Sequence, residues 1–353
     1  MKRLLLVVTI VMVAISVTLL LKDRIALYLF KQNIEKLISR SLADELGIGV
    51  HVAFCGTGSP LPDPARGGAC TAVIAGEHIF LFDAGEGAAE SLALMGILPS
   101  DVDSVFLTHF HSDHINGLGA LALQHVFRGG VVEPLPIYGG PGVERIVNGF
   151  NEAFALDHEY RVAHHGAEVA PPTGFELLAM PLSAPKSGSR QIFAADGVVI
   201  DVFEVDHHPI SPAYGYRVTY RGLTVVISGD TGYSANLIRA AANADLLVHE
   251  ALSPGLVSII GDTASRYQRH GLASVMRDIP DYHASPNDAI RVASEASVGA
   301  LALTHLIPGL PGSWFDSLFL GDVAKTFRGD LLIMRDGDVI SLQGNGPEVQ
   351  NAY

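Results

Sequence analysis

The segment Thr108–His114 holds three histidines and one aspartate within its last six residues, directly after the apolar run Val105–Leu107. Imidazole and carboxylate groups are the side chains that bind Zn, Mn, Fe or Ni. If the apolar run is a strand, alternation directs His109 and His111 to the same side. A solvent-exposed polar turn is the alternative for this segment. Such a turn would not require matching ligand residues elsewhere in the chain. The segment therefore predicts a metal site at the end of a strand.

Further candidate ligands lie at or just past the ends of other predicted strands: His207, Asp230 and His305. Side chains at the ends of separate strands can converge on one edge of a β-sandwich. A carboxylate among histidines widens the range of metals that such a site accepts. The spacing therefore predicts one site assembled from distant parts of the chain.

The order of apolar patterns indicates how these strands are arranged. Short strands separated by loops rich in Gly and Pro begin near residue 50, helical patterns follow, and strands return at residue 198. This order predicts an α/β fold of two similar halves, with the sheets packed on each other and the helices outside. Ser285-Pro286-Asn287-Asp288 predicts a helix start, because Ser is a good N-cap and Pro suits the first turn.

An uncharged, mostly apolar run extends from Leu4 to Leu21, after Lys2 and Arg3. Eighteen such residues are at the lower limit for crossing a bilayer, and no Ala-x-Ala cleavage site follows. The run predicts an uncleaved anchor in the inner membrane, with the catalytic part on the periplasmic, extracytoplasmic side. A cleaved signal peptide that releases the protein to the periplasm is the alternative.

These patterns divide the chain into three segments. Residues 1–24 form the predicted anchor, and residues 25–47 form an amphipathic linker helix that ends at Gly47. Residues 48–353 form the predicted catalytic domain. Its two cysteines, Cys55 and Cys70, pair as a disulfide or remain as two buried thiols; the sequence leaves this open.

The charge balance is acidic. The chain has 23 Lys and Arg against 37 Asp and Glu, which gives a formal net charge of −14. Nucleic acid binding draws mainly on Lys and Arg contacts with phosphates. The balance therefore predicts that nucleic acid is not a partner.

The motifs resemble the metallo-β-lactamase superfamily, whose His-x-His-x-Asp-His signature is similar to Thr108–Gly119. Gly56–Ser59 and Asp83–Gly87 resemble the tRNase Z branch, whereas Asp206–Pro209 and Tyr282–Pro286 look more like its arylsulfatase-type members. The resemblance covers roughly residues 48 to 345. It implies a four-layer αββα sandwich, preceded here by the anchor helix, and a metal-dependent hydrolase that acts on ester bonds.

Carried onto this chain, the resemblance implies two divalent metal ions. One would be bound by His109, His111 and His207, the other by Asp113, His114 and His305, with Asp230 bridging. Zn²⁺ is the first expectation, and Mn²⁺ or Fe uses similar ligands. His208 is the alternative to His207, but the family places its ligand directly after an acidic residue.

Two such ions lower the pKa of a bound water and stabilise the charge that develops in hydrolysis. The resemblance gives Asp113 the role of orienting that water or accepting its proton. His283 resembles a further histidine of the family, which donates a hydrogen bond or a proton to the leaving group. A buried structural histidine is the alternative for His283.

The leading functional prediction is a dinuclear hydrolase of a small-molecule ester, of the arylsulfatase or phosphodiesterase type. A tRNA 3′-end processing endoribonuclease and a lactone or β-lactam hydrolase are the alternative enzymes. A non-enzymatic envelope protein could lose some of the metal-ligand residues without losing its function. In this chain, every ligand position holds a suitable residue. The sequence is compatible with a homodimer and does not determine the physiological substrate, the native metal or the oligomeric state.

Overall fold

The computed structural model describes residues 2–129, 131–344 and 346–353. It contains two compact units, Met1–Ser41 and Leu42–Tyr353. In the first unit, helix α1 spans Lys2–Ser39, and many of its described apolar side chains, such as Leu19 and Phe30, are exposed. The predicted segment boundaries at residues 24 and 47 stay a prediction, and Met1 of the predicted anchor lies outside the described residues.

The N-terminal run was predicted to anchor the protein in a membrane. Within the part of the chain that the structure describes, no helix combines the length and the apolar character that a membrane crossing requires. This finding corrects the predicted anchor and the predicted membrane partner. The predicted extracytoplasmic location was based on that anchor, and it is wrong as well.

The second unit is built on two β-sheets. In chain order, the strands are β1 (Val50–Gly56), β2 (Cys70–Ala75), β3 (His78–Phe82), β4 (Ser104–Phe106), β5 (Leu135–Gly139), β6 (Leu177–Pro181), β7 (Arg190–Ala195), β8 (Val198–Glu204), β9 (Tyr214–Tyr220), β10 (Leu223–Ile227), β11 (Leu246–Leu252), β12 (Ala300–Ile307), β13 (Asp330–Ile333), β14 (Asp338–Leu342) and β15 (Pro347–Asn351). One sheet has the order β15-β14-β1-β2-β3-β4-β5-β6, and the other has the order β13-β12-β11-β10-β9-β8-β7.

Helices cover the outer faces of both sheets. In chain order, the α-helices of this unit are α2 (Leu42–Glu45), α3 (Ala88–Met95), α4 (Ser112–Ile115), α5 (Leu118–Gly129), α6 (Val143–His165), α7 (Ala235–Ala240), α8 (Pro254–Arg266), α9 (His270–Asp278), α10 (Pro286–Glu295) and α11 (Asp316–Leu320). The apolar residues of α3 and α5 pack on the first sheet, and those of α7 and α10 pack on the second. The predicted α/β architecture with two packed sheets is confirmed.

The main core lies between the two sheets, and strand alternation explains its composition. Val52 and Phe54 of β1 face the inner core, whereas Ala53 and Cys55 face the helices. Because both faces of β1 are covered, every residue of the strand is buried. Such burial requires a nearly continuous apolar run, and this is how the sequence of β1 reads.

Two local features bear on the sequence predictions. Cys55 and Cys70, on the neighbouring strands β1 and β2, form a disulfide, which resolves the pairing that the sequence left open. The Ser285 hydroxyl accepts a hydrogen bond from the Asp288 backbone N–H, and the Asp288 carboxylate accepts one from the Ser285 backbone N–H. The predicted start of α10 is therefore confirmed as a capping box.

Three glycines allow the backbone segments below the His-rich motif to approach closely. A Cβ atom at Gly85 would overlap the Asp113 carbonyl oxygen and lie 2.7 Å from the Ala69 nitrogen. A Cβ atom at Gly68 would lie 2.7 Å from the same Asp113 oxygen, and one at Gly117 would overlap the Gly85 carbonyl oxygen. The position of Asp113 thus depends on the absence of side chains at these glycines.

We expect Gly85→Ala to destabilise the protein by about 1–3 kcal/mol, because the added methyl group must displace backbone. Gly149→Ala is the matched control. Gly149 lies inside α6, and a Cβ atom there meets no atom within 4 Å. Alanine is the better helix former, so the control should gain up to about 1 kcal/mol. Urea unfolding measures the free energy of unfolding of both variants. Equal stability of the two variants would show that a side chain at residue 85 does not disturb the backbone packing.

Candidate metal centre

Segments from several strand ends bring the predicted ligands together. His109 and His111 follow β4, and Asp113 and His114 belong to α4, whose backbone begins directly after His111. His207 follows β8, Asp230 follows β10, and His305 belongs to β12. All these segments end at the same edge of the β-sandwich, as the sequence predicted.

Three groups of these side chains are close enough to bind a cation. The ligand atoms within each group lie within 4.8 Å of one another. The groups are His109, His111, His207 and Asp230; Asp113, His114 and His305; and Asp230, His283 and His305. The structure thus brings together every side chain that was predicted as a ligand, together with His283; their assignment as metal ligands stays a proposal.

Asp230 lies at the centre of the groups. One of its oxygens, Oδ2, is 3.4 Å from His114 Nε2 and 3.8 Å from His109 Nε2. The other, Oδ1, is 3.5 Å from His305 Nδ1. Its side chain is only 3% exposed, so its charge is poorly solvated. A carboxylate whose two oxygens reach histidines of different groups is suited to bind two cations at once.

Several buried polar atoms of the site have no hydrogen-bond partner among the described residues. They are His109 Nε2, His114 Nε2, His207 Nε2, His305 Nδ1 and Asp113 Oδ1. An unsatisfied buried polar group costs roughly 1–3 kcal/mol. Metal coordination would satisfy these atoms, and their imidazole and carboxylate types are those of divalent metal sites. The residues present therefore fit the metal ions that the fold implies.

Asp83 orients two of the histidines, although the sequence did not identify it as a site residue. Its carboxylate accepts hydrogen bonds from the Thr108 hydroxyl and from His114 Nδ1, both at 2.8 Å. The Thr108 hydroxyl oxygen in turn lies 3.1 Å from His109 Nδ1 and can accept a hydrogen bond from it. These bonds leave the Nε2 atoms of both histidines directed to the site. The Asp83–Gly87 motif was visible in the sequence as a similarity to the tRNase Z branch, but that similarity gave Asp83 no role in the site.

His207 is oriented by the backbone. Its Nδ1 donates a hydrogen bond of 3.0 Å to the carbonyl oxygen of Tyr282, which leaves Nε2 for the site. The neighbouring His208 is exposed. Of the two histidines that the sequence offered, the structure thus places His207 with the other ligands.

His305 has an unusual backbone conformation. Its φ angle is +46°, in the left-handed region that non-glycine residues rarely adopt. The pairing of β11 with β12 shifts at this point, between Glu250 and Ala251. The irregularity turns the His305 ring toward Asp113, whose Oδ2 lies 3.1 Å from Nε2.

Glu250 holds His283 beside the ligand groups. Its Oε1 accepts hydrogen bonds of 2.8 Å from His283 Nδ1 and from the Thr231 backbone N–H. Burial lowers the pKa of His283, but the charge of Glu250, its hydrogen bond and the charge of Asp230 outweigh this effect and raise the pKa to about 9. His283 is therefore held as a cation at neutral pH, and Glu250 is a second functional residue that the sequence analysis left unassigned.

The buried charges of the centre stabilise one another. Burial lowers the pKa of His114, but Asp230 and Asp83 outweigh burial and raise it well above its ordinary value. Burial raises the pKa of Asp230, but His305 and His114 lower it well below its ordinary value. Asp230 therefore stays ionised, as a metal ligand must.

The comparisons with known proteins concern the family and the fold. Residues 63–299 match the metallo-β-lactamase superfamily. Ribonuclease Z of Mycobacterium bovis strain BCG is 36% identical over 266 residues, which cover 74% of this chain and 88% of that protein. Ribonuclease Z of Mycobacterium avium is 38% identical over 264 residues, which cover 74% of this chain and 87% of that protein.

Solved structures share the fold at lower identity. The short form of human tRNase Z has a TM-score of 0.58 at 22% identity, covering 83% of this chain and 99% of that one. The metallo-β-lactamase fold protein YhfI from Bacillus subtilis has a TM-score of 0.57 at 22% identity, covering 83% of this chain and all of that one. These similarities concern the fold alone.

The sandwich and its edge of histidines and aspartates define a class of metal-dependent hydrolases that act on phosphodiester or ester bonds. The chain belongs to the metallo-β-lactamase superfamily. The predicted family, fold and enzyme class are confirmed, whereas the similarity to arylsulfatase-type members has no support among the relatives. The curated relatives are named Ribonuclease Z, and this overturns the prediction that nucleic acid is not a partner.

We expect Asp83→Asn to weaken zinc binding by about 10–100-fold, because the variant loses the carboxylate that fixes the His114 ring. A competing chelator measures the zinc affinity. Asp196→Asn is the control, since Asp196 is 81% exposed and contacts only His78 among the ion pairs of the described residues. Unchanged zinc affinity in Asp83→Asn would show that Asp83 does not support the metal centre.

Proposed function

We propose that this protein is a metal-dependent phosphodiesterase that cleaves RNA, of the class that processes tRNA 3′ ends. The observation that carries the proposal is the similarity to proteins named Ribonuclease Z along about three quarters of the chain. The metal groups at the edge of the sandwich support the hydrolytic chemistry. This was the alternative to a small-ester hydrolase in the sequence analysis, and the relatives now favour it.

In this proposal, His109, His111 and His207 hold one divalent ion, and Asp113, His114 and His305 hold the second. Asp230 contributes to both, which its central position supports. Zinc is the first choice for this set of imidazole and carboxylate ligands, and Mn²⁺ or Fe is the alternative. When bound, such a pair of ions provides Lewis-acid chemistry, which acidifies water and neutralises charge on the phosphate.

Asp113 and His283 are the proposed acid–base residues. The Asp113 carboxylate is 8% exposed, and its Oδ1 has no hydrogen-bond partner among the described residues, so it is available to accept a proton from the attacking water. His283 carries a proton at neutral pH and can donate it to the oxygen of the leaving group. Glu250 is a positioning residue, since it contacts His283 and fixes its orientation.

The net charge of −14 is compatible with an RNA substrate, because net charge sums groups that are far from the site. At physiological ionic strength, charges are largely screened beyond about 8 Å. A cleft of about 290 Å³ next to His207 is lined by Lys186 and His208 as well as by Glu204 and Asp206, and Lys186 pairs with Glu204. Local groups of this kind, and the bound cations themselves, determine whether a phosphate is attracted.

A small phosphodiester is the second candidate substrate. The favouring observation is the sequence His283-Ala284-Ser285, where RNA-processing members of the family usually have His-Ser-Thr. The site chemistry is the same for both substrates, so the two candidates differ only in what is recognised around the phosphate. A direct comparison of substrates therefore separates them.

We expect zinc-loaded protein to cleave precursor tRNA at its 3′ end, measured by gel electrophoresis of labelled RNA. Chelation of the metal and the variant His109→Ala should each abolish cleavage, because both remove the ions. Bis(p-nitrophenyl) phosphate is assayed in parallel. Hydrolysis of this ester without any cleavage of RNA would replace the proposal with the small-phosphodiester candidate.

We expect His283→Ala to lower kcat by about 10²–10⁴-fold, because it removes the proton donor. The variant Glu250→Gln keeps an oxygen that can accept the hydrogen bond but removes the charge that raises the pKa of His283. Activity that needs protonated His283 is lost as pH rises through its pKa, so the alkaline fall of activity should move to lower pH in Glu250→Gln.

Glu295→Gln is the matched control, since Glu295 pairs with Arg291 on the surface. Its pH profile should be that of the unmodified protein. An identical alkaline limit in Glu250→Gln and Glu295→Gln would contradict the role of Glu250.

A further inference from the structure

An aromatic side chain lies directly beside the metal centre and has no part in the chemistry proposed above. The ring centroid of Tyr282 is 5.3 Å from that of His207 and 4.9 Å from that of His283. Tyr282 is half-buried, so part of its surface is accessible to solvent. A ring in this position can contact a substrate whose phosphate is bound between the two groups.

The backbone and the side chain of Tyr282 have separate roles. Its carbonyl oxygen accepts the hydrogen bond from His207 Nδ1. Its hydroxyl makes no hydrogen bond with the described residues, and it is not among the fully buried unpaired atoms. The ring is thus not required to hold the ligand, and a change of the side chain leaves the backbone hydrogen bond in place.

The ring is supported by an apolar cluster at the edge of the second sheet. Tyr282 and Leu61 both pack against this cluster, whose members are Leu252, Val257, Met276, Ile279 and Ile307. Leu252 and Ile307 end the strands that carry Glu250 and His305. Apolar surface therefore lies beside a site that is otherwise lined by charged and polar groups.

Leu61 also lines an open cleft that reaches Asp113. The cleft has a volume of about 580 Å³, and Leu61, Asp113 and Asn116 are among the residues that line it. A substrate that enters along this cleft reaches Asp113 with Leu61 on one of its sides. The cleft thus combines a proton acceptor with an apolar wall.

We propose that Tyr282, together with Leu61, forms a subsite that stacks a planar ring of the substrate, of the nucleobase class, next to the cleaved phosphodiester. Aromatic side chains are the usual stacking partners of unpaired bases, and every base presents a planar face to them. The inference rests on the proposed function and adds the group that is recognised beside the phosphate.

The test is a double-mutant cycle between protein and substrate. Unmodified protein, Tyr282→Ala and Tyr282→Phe are each given three RNAs: the intact substrate, and versions with an abasic nucleotide on the 5′ or the 3′ side of the cleaved bond. We expect Tyr282→Ala to lower kcat/KM for intact RNA by about tenfold or more. Tyr282→Phe keeps the ring and should stay within about twofold.

Stacking predicts that the two changes are not additive. For the RNA that lacks the stacked base, the kcat/KM of the unmodified protein should fall by a similar factor. Tyr282→Ala should then lower kcat/KM little further. An equal loss in Tyr282→Ala for all three RNAs would mean a structural role and would overturn the proposal. Unchanged kcat/KM for intact RNA would overturn it as well. Metal content is measured for each variant to verify that the centre is intact.

A binding experiment separates failure of this proposal from failure of the proposed function. If the unmodified protein cleaves none of the RNAs, the proposed function fails, and calorimetry compares cytidine 5′-monophosphate with ribose 5-phosphate. About tenfold tighter binding of the nucleotide, lost in Tyr282→Ala and kept in Tyr282→Phe, would support the subsite. Equal binding of the two phosphates would overturn it.

Discussion

Asp230 is an ionised carboxylate inside the protein, and the arrangement of the site follows from this fact. Burial of such a charge is costly unless positive partners surround it. His114, His305 and His109 lie within 4 Å of its oxygens. Yet four imidazole nitrogens of the site still have no hydrogen-bond partner among the described residues. Cations bound in the site would coordinate these imidazole nitrogens and balance the charge of Asp230. The cluster would then be stable as a whole.

The fold makes this cluster possible by ending strands at one edge and bringing their loops close together. Gly68, Gly85 and Gly117 let three backbone segments meet below Asp113. Asp83 and the Tyr282 carbonyl fix the rings of His114 and His207 from behind. These two histidines are therefore held by contacts outside the metal groups, so their positions do not depend on the metal alone.

Two sequence predictions were wrong, and both rested on the composition of the chain rather than on a particular site. Net charge counts carboxylates over the entire surface, whereas a phosphate responds to groups within roughly one screening length. The apolar run near the N-terminus satisfied a length rule for a membrane span, but no helix in the described part of the chain meets the requirements of a crossing. Composition restricts the possible functions less than a particular site does.

The sequence by itself determined the elements and the ligand types. Buried strands require apolar runs, Ser285 and Asp288 cap a helix through contacts three residues apart, and the histidines of residues 109–114 are close in any fold. Only the tertiary structure decided that Asp83 and Glu250 support the site and that Cys55 bonds to Cys70. Their partners lie many residues away, and no periodic pattern records such a contact. Which residues contact one another at a sheet edge depends on strand order and register, and these are properties of the whole chain.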